Sequence, residues 1–115
     1  MAWIKLKDEN QLNECWSLSQ EKPQLFFKHS TRCSISTMAL TRFQGSGILD
    51  NDSLDCYFLD LLQFRSISDA ISVKSKVVHQ SPQAIVLYKG EVIYTETHGM
   101  IDARAILREI KSITE

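Results

Sequence analysis

The chain lacks any long apolar run, any excess of charge of one sign and any paired cysteines. Each absence narrows what 115 residues can be. The N-terminal stretch Met1-Ala2-Trp3-Ile4-Lys5-Leu6-Lys7-Asp8 turns charged before an apolar segment of signal-peptide length develops. No later run approaches the roughly 20 apolar residues of a membrane span. The expected compartment is the cytoplasm. Thirteen Lys and Arg against fourteen Asp and Glu give a formal charge of −1, and no basic stripe recurs, so nucleic acid and an anionic membrane surface are not the expected partners. Three cysteines, Cys15, Cys33 and Cys56, stand 18 and 23 residues apart. That is neither a secreted disulfide framework nor the C-x2-4-C ligand pairs of a zinc site, and reduced thiols fit best. Linkers, internal repeats and low-complexity segments are missing as well. A single domain over residues 1–115 is the expectation.

What is present is an alternation of strand-like and helix-like segments, the mark of an α/β domain with a central sheet. Trp3 to Leu6 reads as a short edge strand. A helix from about Glu9 to Ser19 follows, with Leu12, Cys15, Trp16 and Ser19 on one face, and Pro23 stops it. Gln24 to His29 reads as a strand. The next helix carries a stripe of Ile35, Met38, Ala39, Leu40 and Phe43, expected to be a core face, and ends at Gly45-Ser46-Gly47. Leu54 to Leu62 has the apolar density of a central strand covered on both faces. Ser66-Ile67-Ser68-Asp69 matches a helix-start box, with the helix running to about Val77. Beyond Ser81-Pro82, the runs Gln83 to Tyr88 and Val92 to Thr95 flank Lys89-Gly90-Glu91 as a β-hairpin. Asp102 caps a last helix with Ala103, Ile106, Leu107, Ile110 and Ile113 on one side. The predicted order is β-α-β-α-β-α-β-β-α, a central mixed sheet flanked by helices.

Cys33 carries the chemistry in this pattern. It follows the apolar run of the second strand and stands at the first turn of the second helix, where free N–H groups and the helix dipole favour a thiolate. Arg32 adds a positive charge and a means of steering an anionic substrate. The spacing Cys33-x-x-Ser36 is that of a dithiol motif whose second cysteine is serine, so no internal disulfide forms there and the expected chemistry is monothiol exchange. Ser36 is expected to hydrogen-bond the Cys33 sulfur. His29, at the strand end, is expected to tune the thiol or contact substrate. Cys15 and Cys56 lie in apolar surroundings and read as core fillers. His29, His79 and His98 show no i,i+4 pairing, so no metal site is expected.

The segments Lys28-His29-Ser30-Thr31-Arg32-Cys33-Ser34-Ile35-Ser36, Val78-His79-Gln80-Ser81-Pro82-Gln83-Ala84 and Thr97-His98-Gly99-Met100-Ile101 together resemble the monothiol bacilliredoxins of the YtxJ type, bacillithiol-system redox proteins of the thioredoxin-like superfamily. The sequence departs from the commoner form of that family at Arg32. The resemblance implies a thioredoxin-like fold and a thiol–disulfide oxidoreductase that removes bacillithiol from mixed disulfides on client proteins. Cys33 would be the nucleophile, and bacillithiol or a similar low-molecular-weight thiol a co-substrate rather than a bound cofactor. It also implies that Pro82 is a cis-proline facing the active thiol, with Ser81 presenting free backbone groups to an extended substrate. Two rival readings use the same residues: a glutaredoxin-like iron–sulfur carrier with a small thiol as co-ligand, and a thioredoxin-like peptide-binding module without redox work.

Overall fold

Successive apolar residues of the second strand join cores on opposite faces of the sheet, and this alternation organises the molecule. A computed structural model describes residues 3–114. The elements are β1 (Ile4–Lys5), α1 (Glu9–Leu18), β2 (Gln24–His29), α2 (Ser34–Gly45), β3 (Asp55–Asp60), α3 (Arg65–Ser75), β4 (Gln83–Tyr88), β5 (Glu91–Thr97) and α4 (Ala103–Thr114), with short 3-10 turns at Ile48–Asp50 and His98–Met100. The strand and helix order is the one read from the sequence. The sheet runs β1-β3-β2-β4-β5, with β1, β3 and β2 parallel and β4 and β5 antiparallel to their neighbours.

β2 is the middle strand and is buried along its whole length. Leu25 and Phe27 face a core built with Ala39 and Phe43 of α2 and Ile106 and Ile110 of α4. Phe26 faces the opposite core, with Leu12 and Cys15 of α1 and Ile67 and Ile71 of α3. Helices on both faces explain why the β2 segment is apolar at successive positions rather than at alternate ones. The Trp3 ring stacks on Phe43 at 5.8 Å and its Nε1 donates to Gln44 Oε1 at 2.7 Å, which fastens the two-residue β1 to α2. The β4–β5 turn places Lys89 and Gly90 at positive φ (52° and 77°), the pattern of a two-residue hairpin turn. Ser19 receives both N–H groups there, on its carbonyl (2.7 Å) and its hydroxyl (3.1 Å).

Two expected features differ. On α2 the buried positions are Ser36, Ala39 and Phe43, while Ile35 and Met38 are 52% and 70% exposed. The apolar stripe was misplaced because a polar side chain, Ser36, occupies a core-facing position. On α3 the helix begins at Arg65, so Ser66 lies inside it and caps nothing. The Asp60 carboxylate accepts from the N–H groups of Leu62 and Gln63, and Phe64 N–H donates to the Asp60 carbonyl. This turn brings the chain into helical curvature ahead of the serine. At the far end, Asp102 does cap α4, with Oδ1 accepting from Arg104 N–H at 2.9 Å.

Candidate active site

Strand register brings three separated segments to one end of the sheet. Lys28 of β2 pairs with Gln83 of β4, and Gln83 pairs with Thr97 of β5. The chain leaving β2 through His29 therefore lies beside Ser81-Pro82 entering β4, and Pro82 lies beside His98 leaving β5. His98 N–H donates to the Pro82 carbonyl at 3.0 Å. The Ser81–Pro82 peptide is cis.

Cys33 is the N-cap residue of α2, one position ahead of the helix proper, with extended backbone (φ −111°, ψ 119°). Its N–H donates to the Ser30 carbonyl at 3.2 Å, closing the Ser30–Cys33 turn, and its carbonyl accepts from Thr37 N–H at 3.1 Å. The side chain is partly exposed and its thiol is free. It is thus set against the start of a helix whose first N–H groups lack intrahelical partners. Arg32 beside it is exposed and makes no hydrogen bond or ion pair among the described residues.

Ser36 is not on the sulfur. Its buried hydroxyl accepts from Ser30 N–H at 3.1 Å and shares a hydrogen bond of 2.7 Å with His29 Nδ1, and among the described residues no hydrogen bond reaches Cys33 Sγ. His29 is likewise displaced from its expected place. It is only 6% exposed and its ring packs on Phe58 at 5.5 Å, so its contact is with Ser36 rather than with anything arriving from solvent. Burial holds the imidazole below its ordinary pKa, against the opposing pull of Asp60 and the Ser36 contact. The Ser30–Cys33 turn is in this way pinned from beneath. Ser81 completes the group: its Oγ is buried without a hydrogen-bond partner among the described residues.

Cys15 and Cys56 sit in the two cores on opposite faces of the sheet. Burial pushes their thiols up to about 11 and about 12. Both are inert as nucleophiles near neutral pH.

Sequence reasoning missed one polar cluster next to this site. Lys28 is fully buried, with its ammonium against Ser68 and Ser72 of α3 and against His79. Desolvation lowers it to about 8, and His79 is lowered by its own burial and then by Lys28. The signal was a lysine two residues after Phe26, and so on the same strand face, in a segment otherwise rich in apolar residues.

The family model for the monothiol bacilliredoxin BrxC matches residues 4–106. The chain belongs to the monothiol bacilliredoxin family. Among solved structures it is similar to one described as a candidate oxidoreductase with a thioredoxin fold, at 32% identity over 92% of this chain and 91% of the other, with a TM-score of 0.77. It shares the fold of thioredoxin from Malassezia sympodialis (16% identity, 96% and 90% covered, TM-score 0.72). The same holds for a thioredoxin variant from Halobacterium salinarum (17% identity, 100% and 96% covered, TM-score 0.72). This bacilliredoxin-family chain is a thiol–disulfide oxidoreductase with the thioredoxin fold. No helix among its described residues is long and apolar enough to cross a membrane.

Proposed function

We propose that this chain, a single thioredoxin-like domain acting in the cytoplasm, strips bacillithiol or a similar low-molecular-weight thiol from mixed disulfides on client proteins. The observation that carries the reading is Cys33: the one thiol outside the two cores, at the start of α2, with serine three residues on. In the first step the Cys33 thiolate attacks the small-thiol sulfur of the client's mixed disulfide. A Cys33–small-thiol disulfide forms, the client S–S bond breaks, and the client leaves as a thiolate that takes a proton from water. In the second step a further small thiolate attacks the sulfur carried on Cys33, giving the symmetric small disulfide and free Cys33. Electrons balance over the two exchanges, and reduction of the small disulfide falls to a separate system.

An internal resolving step is not available, since position 36 is serine and Cys15 and Cys56 are buried in opposite cores. Arg32, exposed and unpaired among the described residues, is the group we assign to the carboxylates of the incoming thiol. Ser81 and Pro82 are assigned to the client's extended backbone, and Ser36 and His29 to holding the turn under Cys33. A client protein bearing one bacillithiol mixed disulfide provides the test. Its free thiol should reappear with wild type and excess bacillithiol and should not with Cys33→Ala. Equal release by both proteins, or by neither, overturns the reading.

A further inference from the structure

Lys28 places an ammonium in a fully buried position on the α1–α3 face of the sheet. Its Nζ donates to the Ser68 carbonyl at 3.1 Å, to Ser72 Oγ at 3.2 Å and to His79 Nδ1 at 3.2 Å. An ammonium has three N–H donors and no acceptor, so these partners use its full capacity, and none of them is a carboxylate. It follows that His79 Nδ1 accepts and that its ring proton is on Nε2. The Ser68 hydroxyl, 3.2 Å from the same Nδ1, fits that tautomer as a second donor. The Asp69 carboxylate acts on this ammonium only through space, without a hydrogen bond to it. Burial of a cation without a carboxylate in direct contact is costly, and an apolar side chain of similar length would pack there without that cost. The arrangement calls for a reason beyond stability.

The reason lies in what His79 is attached to. Segment 76–82 joins α3 to β4 and ends in Ser81-Pro82. It is held from within by two buried side chains that face each other in register, Lys28 and Gln83. Gln83 Nε2 donates to the Val78 carbonyl at 3.0 Å, and Gln83 Oε1 accepts from Gln80 N–H at 3.5 Å. Lys28 holds His79 between those two points. The residue after Lys28 is His29, which fastens Ser36 and the Cys33 turn on the other face. A single stretch of β2 thus grips both halves of the site: Lys28 the proline side, His29 the cysteine side.

We propose that Lys28 is a positioning residue for thiol exchange, fixing segment 76–82 through His79 and so setting the Ser81–Pro82 edge against which the client chain lies. The client's part in this rests on the function proposed above; the tie itself does not. Lys28→Met and His79→Ala should raise KM for a client mixed disulfide by about tenfold or more and leave kcat within about twofold. His79→Asn, whose Oδ1 offers an acceptor in the place of Nδ1, should bring KM back to within about twofold of wild type.

Alkylation of Cys33 by iodoacetamide should proceed at one rate throughout, because the thiol itself is untouched. Hydrogen exchange of the 76–82 amides should quicken in Lys28→Met while the rest of the protein keeps its protection. Lys28→Met is the informative variant, since losing the buried charge preserves or raises fold stability. An unchanged KM in folded Lys28→Met, no rescue by His79→Asn, or unchanged exchange in segment 76–82 overturns the proposal. Wild type that moves no thiol refutes the exchange reading instead, and amide exchange then still decides for or against the tie.

Discussion

His29 Nδ1 and Ser36 Oγ lie 2.7 Å apart, buried beneath the turn that presents Cys33. The serine of the Cys-x-x-Ser spacing therefore serves the scaffold. Removing its hydroxyl in Ser36→Ala leaves two groups unpaired, the partly buried Ser30 N–H and the buried His29 Nδ1. The expected cost is about 1–3 kcal/mol in urea unfolding. The alkylation rate of Cys33 should stay within about threefold of wild type, because no bond to the sulfur is lost. A large drop in alkylation without a loss of stability would place Ser36 on the sulfur after all.

Acid should weaken the fold through the buried imidazoles. His29 and His79 are both lowered from 6.5, each mainly by burial. Below 6.5 the unfolded chain binds protons that the folded chain does not, so stability is full above that pH and declines as pH falls toward the folded values. Urea titrations between pH 7.5 and 5 read this out, the range being chosen to span about two pH units around the histidine midpoint. His29→Gln should flatten part of the decline.

Alkali should act through the two core thiols. Cys15 and Cys56 are raised from 9.0 to about 11 and about 12, so their contribution is fully present below 9.0 and is lost as pH rises through those values. Lys28 works in the opposite sense: lowered from 10.5 to about 8, it adds stability as pH rises between the two. The difference between wild type and Cys56→Ala isolates the thiol part. Burial also predicts that one alkyl group enters the native protein, at Cys33, and that all three cysteines react once urea has unfolded the chain.

The outward face of α2 should tolerate charge. Ile35 and Met38 are exposed, so Ile35→Asp and Met38→Asp should each change unfolding free energy by no more than about 0.5 kcal/mol. Phe43→Ala, which empties a buried site against Phe27 and Trp3, should cost about 3–5 kcal/mol. Similar losses at all three positions would mean that the helix packs by the stripe expected from the sequence.

The strand and helix order, the bounds of β2 and the hairpin were legible because they rest on local signals: apolar runs, a proline, a glycine turn. Cys33 was legible because a lone cysteine among serines and an arginine leaves a strand and enters a helix. The rest depended on which polar groups meet across the fold. Ser36 reads as a hydrogen-bond partner of the Cys33 sulfur until His29, seven residues away in sequence, is found against it. Lys28 reads as a charge at a strand end until Ser68, Ser72 and His79, 40 to 51 residues away, close around it. Periodicity records hydrophobicity, and a buried polar residue with partners on other elements leaves no mark in it.

The central claim is that Cys33 takes the small thiol onto its own sulfur. Peptide mapping of the protein quenched with acid during turnover, with a bacillithiolated client in excess, tests it most directly. The small thiol should appear in disulfide linkage to the peptide containing Cys33, and Cys15 and Cys56 should remain free. A client peptide joined to Cys33, or a small thiol found on Cys15 or Cys56, would contradict it.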